Sequence, residues 1–332
     1  MKRRLHSAVL VLCLCAPLAA GALALQDSGL PEDRLPAELG LEVPFGLPEH
    51  LAADPAEQEL AALGRRLFFD PLLSLDQSRS CASCHVPEKG FADNQRFSEG
   101  IGGKRTLRNT PTLFNRALGE HFMWLGEAAS LEEQALLPIE NPLEMGLDLE
   151  AALERLRAAP AYAQAFQAVF SGEPTRARLG QALAAFVRRL LVGDSRVDRF
   201  RIGDRDVLSQ AERGGLWFFE SRGGCWRCHS GPNFTDEAFH NTGVGLRDGQ
   251  PEAGRESISG AASDRGAFKT PTLRALSLTA PYMHDGSLGS LEEVVEFYRK
   301  GGHPNANLDS RIAPIEMTEA DVQNLVAFLK AL

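Results

Sequence analysis

Two five-residue motifs constrain this chain more than any other feature. Cys81-Ala82-Ser83-Cys84-His85 and Cys225-Trp226-Arg227-Cys228-His229 share the pattern C-x-x-C-H. That spacing places two thiols where they can add to the two vinyl groups of one haem, and the adjacent histidine turns beneath the iron as its proximal ligand. Two short-loop disulfides, or one zinc ion held by four cysteines, would use the same sulfurs. Neither requires a histidine after both pairs, so two covalently bound haems c are the expectation.

The other two of the six cysteines, Cys13 and Cys15, lie in an N-terminal apolar run from Ala8 to Ala20. Lys2, Arg3 and Arg4 precede the run and Ala22-Leu23-Ala24 follows it, so residues 1–24 read as a signal peptide cleaved after Ala24. An uncleaved anchor is the alternative, but the run is short for a membrane span. No later stretch approaches that length. Removing three positive charges takes the formal charge from −9 to −12. Such acidity speaks against nucleic acid as a partner and suits a basic redox protein.

An internal repeat organises the rest. Thr110-Pro111-Thr112-Leu113 recurs as Thr270-Pro271-Thr272-Leu273, and Ser130-Leu131-Glu132-Glu133 as Ser290-Leu291-Glu292-Glu293, both at an offset of 160 residues. The two Ser-Leu-Glu-Glu stretches read as capping boxes that open helices. At the same offset Tyr298 faces Pro138, Gln134 faces Val294, Glu144 faces Pro304 and Trp124 faces His284. The copies therefore differ in polarity where the far side of a haem could lie.

Apolar residues recur at helical spacing over 56–68, 149–170, 175–192, 206–221 and 318–331, while 98–111 and 241–271 read as long loops. Strand signals are few. The expected fold is mainly α: two tandem cytochrome c-type domains, 25–192 and 193–332, each with one haem, meeting near Leu191 to Gly203.

The motifs LGRRLFFDPLLS, CASCH, RNTPTLFN, SLEEQALLPIENPLEMG, CWRCH, FHNTGVG and TPTLRALSLTAPYMHDGSLGSLEEVVEFY, in this order, resemble the bacterial di-haem cytochrome c peroxidase and MauG superfamily over nearly the whole mature chain. The resemblance implies a periplasmic oxidoreductase. Its N-terminal haem, on His85, would react with hydrogen peroxide, and its C-terminal haem, on His229, would relay electrons. It implies Gln134 and Glu144 on the distal side of the first haem, Trp124 between the haems, and a calcium ion held by the Asn109 side chain and the carbonyls of Thr279 and Pro281. Tyr298 stands where methionine-ligated peroxidases place their methionine, and no histidine occurs from Val86 to Glu120. Both features resemble the tyrosine-ligated, MauG-like branch.

Glu144 is then the expected acid–base, Gln134 a peroxide-orienting amide, Trp124 an electron relay and Tyr298 a second axial ligand to iron. By residue type alone, Gln134 and Glu144 read as surface residues, Trp124 as core packing and Tyr298 as a core tyrosine bonded to a carbonyl. Trp217 and Trp226 read as exit stations or core, and His284 as a neighbour of the second haem. Three functions stay open. One is oxidation of a partner protein at a Trp or Tyr. Another is peroxide detoxification with electrons from a small cytochrome c or cupredoxin. The third is a non-enzymatic di-haem electron carrier.

Overall fold

The computed structural model describes residues 42–52, 54 and 57–332. The segment read as an export signal, residues 1–24, lies outside them. Among the described residues regular strands are confined to one antiparallel pair, β1 (Phe239–His240) and β2 (Phe268–Lys269), with Phe239 opposite Lys269. The helices are α1 (Gln58–Phe69), α2 (Cys81–Cys84), α3 (Leu131–Gln134), α4 (Leu137–Glu140), α5 (Leu149–Ala158), α6 (Pro160–Phe170), α7 (Arg176–Arg188), α8 (Arg196–Arg201), α9 (Gln210–Glu220), α10 (Glu256–Ser259), α11 (Leu291–Arg299) and α12 (Glu319–Leu329). None is long and apolar enough to cross a membrane.

Local chemistry sets where these depart from the expected ranges. The segment 149–170 is two helices because Pro160 has no N–H to donate and holds Ala159 extended, at φ −85° and ψ 110°. The segment 206–221 becomes helical only at Gln210. There Ser209 Oγ accepts the Glu212 N–H and the Glu212 carboxylate accepts the Ser209 N–H. Both Ser-Leu-Glu-Glu stretches open helices, but only Ser290 and Glu293 close a full capping box, since the Glu133 carboxylate accepts the Ala129 N–H instead; α3 stops at Gln134 and α4 restarts with Pro138 in its first turn. The stretch 191–203 carries α8, and the loop 241–271 contains α10 and β2.

The 160-residue repeat is also a repeat of backbone geometry. Asn115 and Ala275 both adopt φ +57°, and Met123 and Met283 are both left-handed. Phe122 pairs with Ala128 as Tyr282 pairs with Leu288. Thr112 Oγ1 donates to Gly90 O and accepts the Phe114 N–H. Thr272 Oγ1 donates to Asn233 O and accepts the Arg274 N–H.

In the first half α1 crosses α7, and in the second α9 crosses α12. Phe68 meets Phe186 at a ring-centroid distance of 5.0 Å, and Phe219 meets Phe328 at 5.0 Å. Each crossing depends on a glycine. A Cβ on Gly64 would sit 1.8 Å from Ala182 O, and one on Gly215 2.0 Å from Asn324 O. Gly64→Ala and Gly215→Ala are each expected to lower stability by about 1–3 kcal/mol. Denaturant midpoints test this; unchanged midpoints would mean the helices separate without cost.

The halves meet reciprocally. Asn109 N donates to His284 O at 2.8 Å, and Lys269 N donates to Trp124 O at 2.9 Å. Positions 109 and 269, like 124 and 284, are repeat partners, so one bond is made twice in opposite directions. Two buried ion pairs add to the framework. Arg116 of the first half grips Glu237 of the second through bonds of 2.9 and 3.0 Å. Arg274 grips Asp198 of α8 through bonds of 2.7 and 2.9 Å.

Candidate functional site

Both motifs present a ligand-ready histidine. His85 Nδ1 lies 2.8 Å from Phe91 O, and His229 Nδ1 lies 2.9 Å from Phe234 O. A carbonyl only accepts, so Nδ1 carries the proton and Nε2 keeps its lone pair free for a metal. Phe91 and Phe234 hold φ of +57° and +51°, a left-handed conformation costly for an aromatic residue, to aim those carbonyls. Burial lowers the pKa of both imidazoles, partly countered by the carbonyl bonds, which keeps them neutral.

The four cysteines form no disulfide. They do not converge either. The one grouping of candidate metal ligands among the described residues is Cys228, Asp236 and His240, with ligand atoms within 4.8 Å of one another. Burial pushes the Cys81 and Cys225 thiols up to about 12 and Cys84 up to about 11. They are therefore held as thiols rather than as the thiolates zinc selects. Beside Cys84, Arg79 Nε is buried with no hydrogen-bond partner, a donor suited to an acidic group at a haem edge. This donor set fits covalent haem at both motifs.

Around the first motif the structure gathers Glu144. The turn after α4 carries it, and its charge is felt at Cys81 and Cys84. Asn141 Nδ2 donates to Glu144 Oε1 at 2.7 Å. Burial raises the Glu144 pKa, and the Asn141 bond offsets part of the rise. Gln134 ends α3 and donates weakly to Met123 Sδ at 3.6 Å; no hydrogen bond joins it to Glu144.

Trp124 sits at the joint between the halves. Its Nε1 donates to Asn109 O at 2.8 Å. His284 meets Trp124 edge to face at 6.3 Å. It also stacks on Phe268 at 3.5 Å and bonds Glu252 at 3.0 Å, while Arg108 holds the other Glu252 oxygen at 2.5 Å. Sequence reasoning missed this Arg108–Glu252–His284 chain, although the Trp124–His284 pairing at the repeat offset pointed to it.

Tyr298, on α11, faces the second motif. Burial, then the nearby Cys228 and Cys225, push its phenol above the ordinary range. The other two tyrosines are bonded: Tyr162 OH to Asp70 Oδ2 at 2.7 Å and Tyr282 OH to Leu276 O at 2.9 Å. Among the described residues the Tyr298 hydroxyl has no such partner, so it is not the carbonyl-bonded core tyrosine its residue type allowed. His240 is clasped by Asp236 at 2.9 Å and Asp309 at 2.8 Å. Although burial opposes the charge, Cys228 and Asp236 raise the His240 pKa to about 9. Trp217 and Trp226 are exposed and are not core.

The residues expected around calcium lie about one segment. Asn109 Nδ2 donates to Gln95 O at 2.8 Å, and Asn94 Nδ2 donates to Leu278 O and Ala280 O, flanking Thr279. The Ala280–Pro281 peptide is cis.

The profile of the family described as di-haem cytochrome c peroxidase matches residues 58–206. The methylamine utilization protein MauG of Methylorubrum extorquens is 42% identical over 299 residues, covering 88% of this chain and 84% of that protein. The cytochrome c551 peroxidase of Nitrosomonas europaea is 37% identical over 284 residues, covering 85% and 82%. A solved structure of a MauG-like protein associated with microbial copper homeostasis superposes with a TM-score of 0.77 at 32% identity, covering 91% of this chain and 95% of that one. With two ligand-ready C-x-x-C-H motifs on a mainly helical frame, the chain belongs to the di-haem cytochrome c peroxidase and MauG family, oxidoreductases of the peroxidase type whose cofactors are two haems c.

Proposed function

We propose that this chain is an exported, periplasmic di-haem peroxidase built as two cytochrome c domains, 25–192 and 193–332. It reduces hydrogen peroxide at the N-terminal site and draws the electrons, through the C-terminal site, from a Trp or Tyr side chain of a partner protein. The observation that carries this reading is Tyr298, a half-buried phenol beside the second motif with no hydrogen-bond partner among the described residues. A hard oxygen ligand in that position favours higher oxidation states than a thioether does.

Bound at the two motifs, the haems supply the irons that exchange electrons with peroxide. The chain does the rest. Cys81 and Cys84 anchor the first haem and Cys225 and Cys228 the second, while His85 and His229 offer Nε2. Two protons and two electrons turn one peroxide into two waters. Glu144 takes the proton from the inner peroxide oxygen and delivers it to the outer one, with Asn141 holding its other oxygen in place. Gln134 orients the peroxide with its amide. Trp124 passes electrons across the joint. Asn109, Thr279 and Pro281 hold a calcium ion there. A small cytochrome c or cupredoxin is the donor expected of a detoxifying enzyme instead.

One equivalent of peroxide added to the ferric protein without a donor tests the reading. Both ferric signals are expected to fall together in optical and EPR spectra. A reaction that waits for one haem to be reduced would overturn it. Tyr298→Phe is expected to abolish the native low-spin signature of the second haem; an intact signature would remove Tyr298 as a ligand.

A further inference from the structure

We infer that Tyr162 and Asp70 form a second redox-active site in the N-terminal half, where an oxidising equivalent rests when no partner takes it. This rests on the peroxide reaction proposed above. The chain has three tyrosines and three tryptophans. Oxidation of a phenol makes its proton strongly acidic, so a neighbouring base decides which ring is oxidised most readily. Trp124 and Tyr282 donate to backbone carbonyls, which cannot hold that proton. Trp217, Trp226 and Tyr298 donate to no side chain or carbonyl among the described residues. Tyr162 alone points its donor at a titratable base, Asp70 Oδ2, at 2.7 Å.

The pair is built rather than incidental. Tyr162 on α6 is 1% exposed and Asp70 8%. Asp70 is fixed by its second oxygen, which accepts the Leu72 N–H at 2.8 Å where it caps the turn after α1. Arg66, whose charge is felt at the phenol, makes no side-chain bond to Asp70 among the described residues. As it stands the pair is a buried phenol with a buried carboxylate, one negative charge in all. In the redox step the Tyr162 ring gives one electron to the peroxide-oxidised first haem centre. Its O–H bond breaks and the proton passes to Asp70 Oδ2. Tyr162 becomes a neutral phenoxyl, Asp70 a neutral carboxylic acid, and the haem centre is reduced by one electron. A buried anion is thereby replaced by a neutral pair, which low-polarity surroundings favour. A one-electron donor, such as a reduced small redox protein, restores the phenol as Asp70 returns the proton.

The route is short. The Phe68 ring lies 6.5 Å from the His85 ring, and Asp70 follows Phe68 by two residues on the same segment. That is at most about 7.6 Å between their Cα atoms.

Rapid-freeze EPR of the holoprotein after one equivalent of peroxide, with no donor, tests the site. A tyrosyl signal is expected, narrowed in protein grown on ring-deuterated tyrosine. It should vanish in Tyr162→Phe and in Asp70→Asn, which keeps the side-chain size and removes the base, while the first haem still converts in the optical trace. A signal surviving in Tyr162→Phe, or haem conversion without any tyrosyl signal in the unmodified protein, would overturn this site alone. Failure of the haem to convert at all would instead sink the peroxidase reading, and the site with it.

Discussion

Glu144→Gln is expected to slow the reaction of the first haem with peroxide by about 10²–10⁴-fold, the range for removal of a positioned acid–base. The substitution keeps the shape and the bond to Asn141 but cannot shuttle a proton. The ferric spectra should stay as they are, because Glu144 approaches Cys81 and Cys84 without belonging to the anchoring set. The pH profile gives a second readout. Burial raises the Glu144 pKa, so its basic form is lost at higher pH than for an ordinary carboxylate. Peroxide reactivity should therefore fall, as the pH is lowered, above the usual carboxylate range. That acid limb should be missing in Glu144→Gln. Stopped-flow mixing of ferric protein with peroxide measures both, and an unchanged rate would remove Glu144 from the chemistry.

Arg274→Leu should be the most damaging single change away from the haem motifs, costing about 3–5 kcal/mol. Arg274 is among the most deeply buried side chains. Its guanidinium closes on both Asp198 oxygens, donates to Pro232 O at 2.8 Å, and lies over the Phe234 ring at 5.4 Å. Phe234 in turn presents the carbonyl that orients His229. Leucine strands the Asp198 carboxylate in the core and loosens the loop that aims the second histidine. Adding Asp198→Asn should recover a large part of the loss, since the neutral amide needs no counter-charge. The pair also gives an acid dependence. Burial alone would raise the Asp198 pKa, but the Arg274 bonds and charge outweigh it and the folded value is lowered. Its stabilisation is complete above the free aspartate value of about 3.9 and drains away as the pH falls through the lower folded value. Denaturant melts of the single and double variants across this range check the size and the sign.

What could be read from the residues was whatever local spacing writes. The C-x-x-C-H pairs, the serine caps and the apolar stripes of α1, α7, α9 and α12 are short-range patterns, and each helix lies within or close to its expected range, with α7 and α9 shorter than expected. The break at Pro160 is equally local and was overlooked only because the apolar period runs through it. Contacts between distant segments were less legible. Nothing in the order of residues links Arg274 to Asp198, or Arg108 and Glu252 to His284, because an ion pair leaves no periodic trace in either partner. The carbonyls that fix the two histidines escaped for another reason. They come from Phe91 and Phe234, whose left-handed backbone no side-chain preference announces.

The crossed bonds between Asn109 and His284 and between Lys269 and Trp124 bear on the electron relay proposed above. A contact that joins i to j and j to i is the contact of a two-fold dimer, here folded into one polypeptide. Across a perfect two-fold axis both directions of travel would be equivalent. The axis is broken at its centre: one copy offers an oxidisable indole, the other an imidazole bonded to a carboxylate and stacked on Phe268. The chain keeps the close, self-complementary seam of a dimer and gives the seam a polarity, with an indole at one repeat position and an imidazole–carboxylate pair at the other.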